Sequence, residues 1–363
     1  MNVLSLFDGI SCGQVALERA GIKVSNYYAS EIDKYAMQIT RKNYPDTIQL
    51  GDVTGVKGKD LPKIDLLIGG SPCQGFSFAG KQLNFIDPRS RLFFEYVRVL
   101  NEVKPKYFLL ENVKMKKEYQ DIISKYLGLE PIEINSALVS AQNRRRLYWT
   151  NIPGIVQPED RGIMLKDIVH EYVDAMEFEE LAEYIVPFDK TLQILDKEVE
   201  KGKVGYFRQD SQANRVYYIH DKAVTLCGEA GGGATKMGQY LFGEVKKNYL
   251  QYDLSGKGHG SQDQRAYYLD GKHGTLPSAS ASSKCKVLFG CITPTAQDKH
   301  GVLVEGYIRK LTPIECERLQ TLPDNYTEGI SNSQRYKCLG NGWTVEVISH
   351  ILKEMELAKE RAV

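Results

Sequence analysis

A cysteine on a turn shaped by glycine and proline is the first residue whose type and place could do chemistry. Cys73 lies in Gly69-Gly70-Ser71-Pro72-Cys73-Gln74-Gly75-Phe76-Ser77, directly after the apolar run Ile64 to Ile68. A turn of this kind at the carboxyl end of a strand exposes a thiol for attack, whereas most free cysteines are buried fillers. Without a partner, the buried filler is the better interpretation of Cys73.

A carboxyl group supplies that partner. Glu111, in Glu111-Asn112-Val113, ends the next apolar run, Tyr107 to Leu110. Neighbouring strand ends of one sheet place their side chains over the same crevice, so Cys73 and Glu111 are expected to meet there. A nucleophile beside a proton donor is the arrangement that covalent catalysis requires.

A glycine-containing turn and two acidic residues predict a nucleotide-like cofactor site. Phe7-Asp8-Gly9-Ile10-Ser11-Cys12-Gly13 follows one strand and opens a helix, although a tight structural connection would look the same. Glu31 ends the second strand, where a carboxylate can accept both hydroxyls of a ribose, and Asp52 ends a third. Each is an ordinary loop residue when taken alone. Together they describe an adenosine-binding rim.

The elements that must position these residues alternate in the first 150 residues, as in a parallel sheet covered by helices. Together they predict an α/β fold with a doubly wound, mostly parallel sheet. Predicted strands cover 3–7, 24–29, 64–68, 107–110 and 147–150, and predicted helices cover 14–20, 34–43, 92–102, 120–127, 312–319 and 345–358.

Residues 201–300 differ in composition, with 14 Lys and Arg against 8 Asp and Glu, 14 glycines and eight tyrosines. Sixteen positions from Ser211 recur fifty residues later with eight identities, which include Arg215 with Arg265, and the pair Tyr217-Tyr218 with Tyr267-Tyr268. Duplicated hairpins in a β-rich module are the better interpretation, because two copies are too few for a solenoid. The tyrosines are also explained by strands alone, with one of each pair in the core.

Composition excludes several classes of protein. A chain of 363 residues exceeds one usual core, its hydrophobic fraction of 42% is ordinary, and it lacks an apolar run of membrane-spanning length. The N-terminus lacks a basic leader, and the seven cysteines are scattered without a CxxC pair. We therefore expect a soluble cytoplasmic protein with neither a disulfide framework nor a metal site.

Pro72-Cys73-Gln74 and Glu111-Asn112-Val113 resemble motifs of the DNA cytosine-5 methyltransferase family. The resemblance covers nearly the whole chain apart from residues 155–305 and includes Gln142-Asn143-Arg144-Arg145-Arg146, the stretch Arg309 to Gln320, and Gly340 to Val345. It extends to bacterial and phage enzymes and to the catalytic domains of eukaryotic de novo methyltransferases. Two departures occur: Ser11 stands at the second glycine of the first motif, as in the de novo branch, and Asn341-Gly342-Trp343 replaces the commoner Asn-Ser-Val.

The resemblance implies methyl transfer from S-adenosylmethionine to carbon 5 of a flipped-out cytosine in a specific duplex DNA sequence. Cys73 would add to carbon 6, Glu111 would protonate ring nitrogen 3, Arg146 would hold the cytosine O2, and Arg144 would help position the base or thiolate. The carbon 5 proton must also leave, and no residue is an obvious base for it.

The remaining expected site residues fall into two sets, which come from the resemblance, the strand ends and the repeated segment. The expected cofactor-binding residues are Phe7, Asp8, Gly9, Ile10, Gly13, Glu31, Ile32, Asp52, Val53, Ser71, Pro72, Leu92, Asn341, Gly342 and Trp343. The expected DNA-binding residues are Gln74, Ser77, Lys81, Arg89, Arg215 and Arg265. The loop 76–90 is suited to closing over DNA, although an ordinary mobile loop would have the same sequence.

These observations predict a catalytic domain over 1–180, an inserted, smaller β-rich target-recognition domain over 181–335, and a C-terminal helical segment, 336–363, that completes the catalytic domain. The expected partner is double-stranded DNA, with no membrane, for a monomeric enzyme encoded by a bacterium or phage, and a companion restriction endonuclease is left open. The alternatives are a tRNA cytosine-5 methyltransferase and a catalytically silent DNA-binding protein on the same fold.

Overall fold

A seven-stranded sheet contains the strand ends on which the predicted chemistry depends. The computed structural model describes residues 1–72, 91–169, 184, 192–194, 203–207, 214–227, 239–249 and 301–360. The strands of this first sheet are β1 Asn2–Leu6, β2 Asn26–Ser30, β3 Ile48–Gln49, β4 Leu66–Gly69, β5 Tyr107–Val113, β6 Ile132–Asn135 and β7 Arg145–Thr150.

The order of these strands is β3-β2-β1-β4-β5-β7-β6. Neighbours from β3 to β5 pair in parallel, while β7 is antiparallel to both β5 and β6. Successive strands are added on one side of β1 as far as β3 and on its other side from β4 onward, so the strand order reverses between β1 and β4. Ligands of such folds bind at the carboxyl ends of the strands beside this switch point. The residues that follow β1 and β4 are therefore placed for cofactor and substrate.

The helices of the described residues are α1 Cys12–Arg19, α2 Lys34–Asn43, α3 Arg91–Val103, α4 Lys117–Leu127, α5 Pro313–Leu319, α6 Asn332–Asn341 and α7 Val345–Glu360. Local signals set several of their ends. Asp33 caps α2 by accepting hydrogen bonds from the backbone of Tyr35 and Ala36, and α4 ends at Gly128, whose φ of 73° suits glycine.

The core of the first sheet lies where its strands meet α3. Leu4, Leu67 and Leu110 from neighbouring strands are fully buried with Phe93 and Tyr96 of α3. Burying one such side chain contributes roughly 1.5–3 kcal/mol, so this contact layer fixes the relative placement of the strand ends.

The predicted doubly wound, mostly parallel sheet is confirmed. All five predicted strands and six predicted helices of the sequence analysis are present, with ends shifted by a few residues. β6 and α6 were not predicted. Polar residues interrupt both, because β6 alternates as Ile-Glu-Ile-Asn at a sheet edge and α6 buries only a short stretch around Leu339.

A second sheet has five strands in the order β12-β11-β10-β9-β8. Its strands are β8 Leu192–Ile194, β9 Lys203–Phe207, β10 Arg215–Tyr218, β11 Gln239–Tyr249 and β12 Gly301–Arg309. β10 and β11 pair in parallel and the other neighbours pair antiparallel. The β-rich character expected of this part of the chain is confirmed.

The described structure divides into two compact units. One contains Met1–Ile163, Val224–Gly233 and Cys316–Val363, and the other contains Met164–Ala223 and Ala234–Glu315. These limits differ from the expected domain limits at 180/181 and 335/336, because Cys316 to Asn341 joins the unit that holds the first sheet. The functional division into catalytic and recognition domains stays a prediction.

No helix within the described ranges is both long enough and apolar enough to span a bilayer.

Candidate active site

The turn after β1 has an unusual backbone. Phe7, Gly9 and Ser11 have φ values of 59°, 61° and 58°. This conformation suits Gly9 but costs energy for Phe7 and Ser11. The Ser11 hydroxyl hydrogen bonds to the Asp8 carboxylate and lies 3.0 Å from Thr40 Oγ1. These contacts offset part of the cost of a serine where the related motif has glycine.

Asp8 is a carboxyl group with an altered pKa beside this turn. Burial, together with the nearby charge of Glu31, raises the pKa of Asp8 to about 6. Hydrogen bonds from serine hydroxyls and from Tyr27 Oη, at 2.7 Å, oppose that rise. Asp8 therefore titrates in a range where ordinary aspartates are already charged.

Glu31, directly after β2, is held by three backbone amides. Its Oε2 accepts from Gly9 N at 2.8 Å, and its Oε1 accepts from Ile32 N at 2.7 Å and Asp33 N at 2.8 Å. The contact with Gly9 links the end of β2 to the turn after β1. Next to it, Ile32 is 73% exposed, an uncovered apolar side chain beside a fixed carboxylate.

Asp52 follows β3 and is exposed. Its Oδ1 accepts from Thr54 N and Thr54 Oγ1, each at 2.9 Å, and these hydrogen bonds lower the pKa of Asp52. The same contacts cap a short 3-10 turn, Val53–Gly55, whose first residue is buried. Asp52 is therefore a charged and oriented side chain at the end of the third strand.

Glu111 lies within β5 with an exposed fraction of 9%, and both of its carboxylate oxygens have partners. Arg146 Nε lies 2.9 Å from Oε1, and Trp343 Nε1 donates to Oε2 at 3.1 Å. A methyl group placed on Gly70 would lie 3.0 Å from both Glu111 Oε2 and Trp343 Nε1. Gly70 thus packs directly against the carboxylate.

A second contact joins β5 to the turn that leads to Cys73. Asn112 Nδ2 lies 3.3 Å from Ser71 Oγ and 3.5 Å from the Ser71 carbonyl oxygen, and both residues are buried. Cys73 follows Ser71 by two residues in sequence and lies outside the described residues. The structure therefore describes the base of this turn and the acid beside it.

Arg144 is 3% exposed, and its guanidinium contacts backbone carbonyls. Nη2 donates to Gly340 O at 3.0 Å and Gly342 O at 2.9 Å, while Nη1 donates to Leu226 O at 2.9 Å. Burial and the neighbouring charge of Arg146 lower the pKa of Arg144 to about 9. The described contacts of Arg144 join three chain segments, and its expected place beside the base or thiolate stays a prediction.

The segment around Trp343 is held by polar residues that the sequence analysis did not identify. Gln320 Nε2 donates to Leu339 O at 2.6 Å, and Thr344 Oγ1 donates to Gln320 Oε1 at 2.9 Å. Ser136 Oγ donates to Thr344 Oγ1 at 2.9 Å. Gln320 and Thr344 had only their place in a motif as a signal and Ser136 had none, because their partners are distant in sequence.

The other expected cofactor residues follow β1 or β4, begin α3 or lie next to Trp343 in the chain. Ile10 and Gly13 are buried, Pro72 and Leu92 are half-buried, and Asn341 is exposed. A methyl group on Gly13 would clash with Ile68, at 2.5 Å, and one on Gly342 would lie 3.3 Å from Cys12 Sγ. Burial raises the pKa of Cys12 to about 12, so this thiol stays protonated.

Of the expected DNA-binding residues, the structure describes Arg215 alone. Arg215 begins β10 opposite Tyr206 and is half-buried. In the same copy of the repeat, Tyr217 is buried against Tyr240 while Tyr218 is half-exposed, so the expectation of one core tyrosine is confirmed for this pair. The residues outside the described ranges are Gln74, Ser77, Lys81, Arg89 and Arg265, with the whole second copy.

Comparisons of the sequence with known proteins identify a family. The sequence model of C-5 cytosine-specific DNA methylases matches residues 1–127 and 136–357. The orphan methyltransferase M.SPRI of Bacillus phage SPR is 28% identical over 98% of this chain and 97% of its own. The type II methyltransferase M1.ScrFI of Lactococcus lactis subsp. cremoris is 30% identical over 98% of this chain and 77% of its own.

A solved structure shows the same fold. The Entamoeba histolytica methyltransferase EhMeth superposes with a TM-score of 0.64 over 99% of this chain and 98% of that one, at 17% identity. The family match spans nearly the whole sequence and includes the strand ends that hold Glu31, Asp52 and Glu111. The chain therefore belongs to the family of C-5 cytosine-specific DNA methylases and is a DNA cytosine-5 methyltransferase.

Proposed function

We propose that this enzyme methylates carbon 5 of a cytosine flipped out of double-stranded DNA, with S-adenosylmethionine as methyl donor and Cys73 as covalent nucleophile. The observation that carries the proposal is the junction of β4 and β5. Asn112 binds Ser71, two residues before Cys73, and the adjacent residue Glu111 is held from both sides by Arg146 and Trp343. A cysteine and a carboxyl group supported by one junction can act on one base.

The residues at the carboxyl ends of β1 to β3 fit S-adenosylmethionine. Glu31 and Asp52 carry carboxylates suited to ribose and adenine polar groups, and the exposed face of Ile32 suits an aromatic ring. The glycine in the turn after β1 lets a ligand approach the backbone. When bound, the cofactor supplies an electrophilic methyl group.

Cys73 would make carbon 5 reactive. Carbon 5 of cytosine is too weak a nucleophile to take the methyl group directly. As the Cys73 sulfur bonds to carbon 6, the electron pair of the C5–C6 double bond moves to carbon 5, which can then attack. Loss of the carbon 5 proton and cleavage of the S–C6 bond restore the aromatic ring and the free thiolate.

Glu111 and Arg146 would stabilise the charge that this addition creates. A proton given by Glu111 to ring nitrogen 3 prevents negative charge from building up in the ring. The Arg146 guanidinium, 2.9 Å from Glu111 Oε1, has remaining donors that can hold the cytosine O2. Arg144, whose guanidinium joins three backbone carbonyls, would help to position the base or the thiolate.

Recognition of the DNA sequence is assigned to the repeated segments, residues 205–240 and 256–290. Each copy offers an arginine, which can bind guanine bidentately in the major groove. The loop 76–90, with Lys81 and Arg89 and the nearby Gln74 and Ser77, would contact the DNA after base extrusion. Such a substrate implies a cytoplasmic enzyme in a bacterial or phage-infected cell.

Transfer of a labelled methyl group tests this proposal against its alternatives. The purified chain is incubated with labelled S-adenosylmethionine and either duplex DNA or tRNA, and bisulfite sequencing locates the product. We expect label in duplex DNA, at cytosines of one sequence context. Label in tRNA alone would favour the RNA alternative, and no transfer to either would favour the silent DNA-binding protein.

A further inference from the structure

The indole of Trp343 lies where three parts of the site meet. Its Nε1 donates to Glu111 Oε2 at 3.1 Å, the Gly70 Cα packs beside that hydrogen bond, and Cζ3 lies 3.6 Å from where a Gly13 Cβ would be. Trp343 therefore lies against the first turn of α1, the turn before Cys73 and the acid on β5. A tryptophan in this motif is also a departure from the commoner Asn-Ser-Val sequence.

The backbone that carries this indole is fixed on both sides. Before Trp343, Gly342 O accepts from Arg144 Nη2 at 2.9 Å. After it, Thr344 Oγ1 donates to Gln320 Oε1 at 2.9 Å, and Val345 N donates to Gln320 O at 3.0 Å. An indole on so fixed a support keeps its N–H aimed at one point.

The carboxylate at that point is held by two different donors. Arg146 occupies Oε1 and Trp343 occupies Oε2, so rotation of the Glu111 carboxyl group would break one contact or both. Arg146 is also the residue proposed to hold the cytosine O2. When the base is bound, the N–H donors of Arg146 would therefore be shared between Glu111 and the base. The Trp343 indole has a single N–H donor, whose described partner is Glu111 Oε2, so this donor supports Glu111 alone.

We propose that Trp343 is a positioning residue for the reaction, which holds Glu111 in the orientation from which it donates its proton. The inference rests on the proposed role of Glu111 as acid. Trp343 touches the acid and acts through it, so its loss should slow methyl transfer more than it weakens binding of DNA or cofactor.

Kinetics of Trp343→Phe test this role, because phenylalanine keeps an aromatic ring but lacks the N–H. We expect the single-turnover rate of methyl transfer to fall by about 10-fold to 100-fold, as for a lost hydrogen bond to a charged group, while KM for DNA changes by less than about threefold. Trp149→Phe is the matched control, since Trp149 donates to Ser124 Oγ in the core, and its transfer rate should stay within about twofold.

A spectroscopic measurement tests the contact without activity. The chain has two tryptophans, so protein labelled with ¹⁵N in its indoles gives two N–H signals. Glu111→Gln should move the Trp343 signal and leave that of Trp149, whereas Ser124→Ala should do the reverse and thereby assign both. This arm does not require that Trp343→Phe folds or that the enzyme acts on DNA.

The possible results distinguish a failure of the role of Trp343 from a failure of the proposed function. An unmoved Trp343 signal in Glu111→Gln would overturn the inference, as would an unchanged transfer rate in a folded Trp343→Phe variant. An equal loss in KM and rate would assign Trp343 to binding and also overturn it. If the unaltered enzyme transferred no methyl to cytosine while the Trp343 signal still followed Glu111, the proposed function would fail and the contact would stand.

Discussion

Arg144 and Gly342 are joined by a 2.9 Å hydrogen bond from the guanidinium Nη2 to the backbone carbonyl, 198 residues apart in the chain. Together with the hydrogen bonds from Arg144 to the carbonyl oxygens of Gly340 and Leu226, it joins the residue before β7 to the C-terminal segment that carries Trp343. One arginine of the motif that was expected to contact the substrate therefore also holds backbone segments of the site together.

Replacing Arg144 by methionine should destabilise the protein strongly. The variant loses three carbonyl partners and leaves those carbonyls buried, which should cost about 2–4 kcal/mol in the free energy of unfolding. Urea denaturation measures the change. Arg145→Met is the control, because Arg145 is exposed and pairs with Glu133 at the surface, so its cost should stay within about 0.5 kcal/mol. Equal midpoints for the two variants would contradict the supporting role.

Asp8 should give the stability a particular pH dependence. Its pKa is raised from 3.8 to about 6 in the folded protein, so the unfolded chain releases this proton at lower pH than the folded chain. The contribution of Asp8 is fully favourable below about pH 4 and is lost as the pH rises to about 6, on the order of 1–3 kcal/mol. Above that range it changes no further.

Asp8→Asn isolates this effect. Relative to the unaltered protein, the variant should gain stability between about pH 4 and pH 6, as measured by urea denaturation at each pH. Asp46→Asn, at an exposed position, controls for removal of a negative charge. A difference between Asp8→Asn and the unaltered protein that stays constant with pH would show that the carboxyl titrates normally.

The carboxylates of Glu31 and Asp52 should bind the cofactor. Alanine at either position should weaken S-adenosylmethionine binding by roughly 1–3 kcal/mol, measured by calorimetry. Asp52→Ala is the cleaner variant, because Glu31 also accepts three backbone hydrogen bonds and its loss should lower stability as well. Asp60→Ala, on a neighbouring exposed turn, should bind normally. Unchanged affinity in both test variants would remove the proposed rim.

Arg215 and Arg265 should set the recognised sequence. If Arg215 binds a base, Arg215→Ala should cost about 1–3 kcal/mol and relax the preference at one position, whereas a phosphate contact would weaken all sequences alike and reduce the salt dependence. Methylation profiling on a randomised DNA library distinguishes these results. Arg19→Ala, which lies outside the second sheet, is the control. An unaltered site preference after both arginines are replaced would refute this assignment.

The strand ends were predictable from sequence because each combines a short apolar run with a glycine or a carboxylate directly after it. This signal located Glu31 and Asp52 correctly after β2 and β3, whereas β5 continues two residues beyond the predicted end, so Glu111 lies within its carboxyl-terminal part. The antiparallel direction of β7 was not predicted, since direction depends on how the chain returns to the sheet and leaves no mark in a strand's own residues.

The contacts that support the site were not predictable in the same way. Gln320, Thr344 and Ser136 meet across separations of 24 and 208 residues, and a single polar residue beside a helix end or in a short turn has no local pattern that identifies its partner. The carbonyl contacts of Arg144 were not predicted for a related reason, because a guanidinium satisfies backbone carbonyls and ligands with the same donors. The partner of Trp343 likewise followed only from the fold.

Trapping on DNA that carries 5-fluorocytosine at the target tests the covalent role of Cys73 most directly. Fluorine at carbon 5 cannot leave as a proton does, so the bond between sulfur and carbon 6 should persist and give a complex that survives denaturation. We predict trapping by the unaltered protein and by Cys227→Ser, whose residue is half-buried, and none by Cys73→Ser. A denaturation-resistant complex formed by Cys73→Ser would contradict the account.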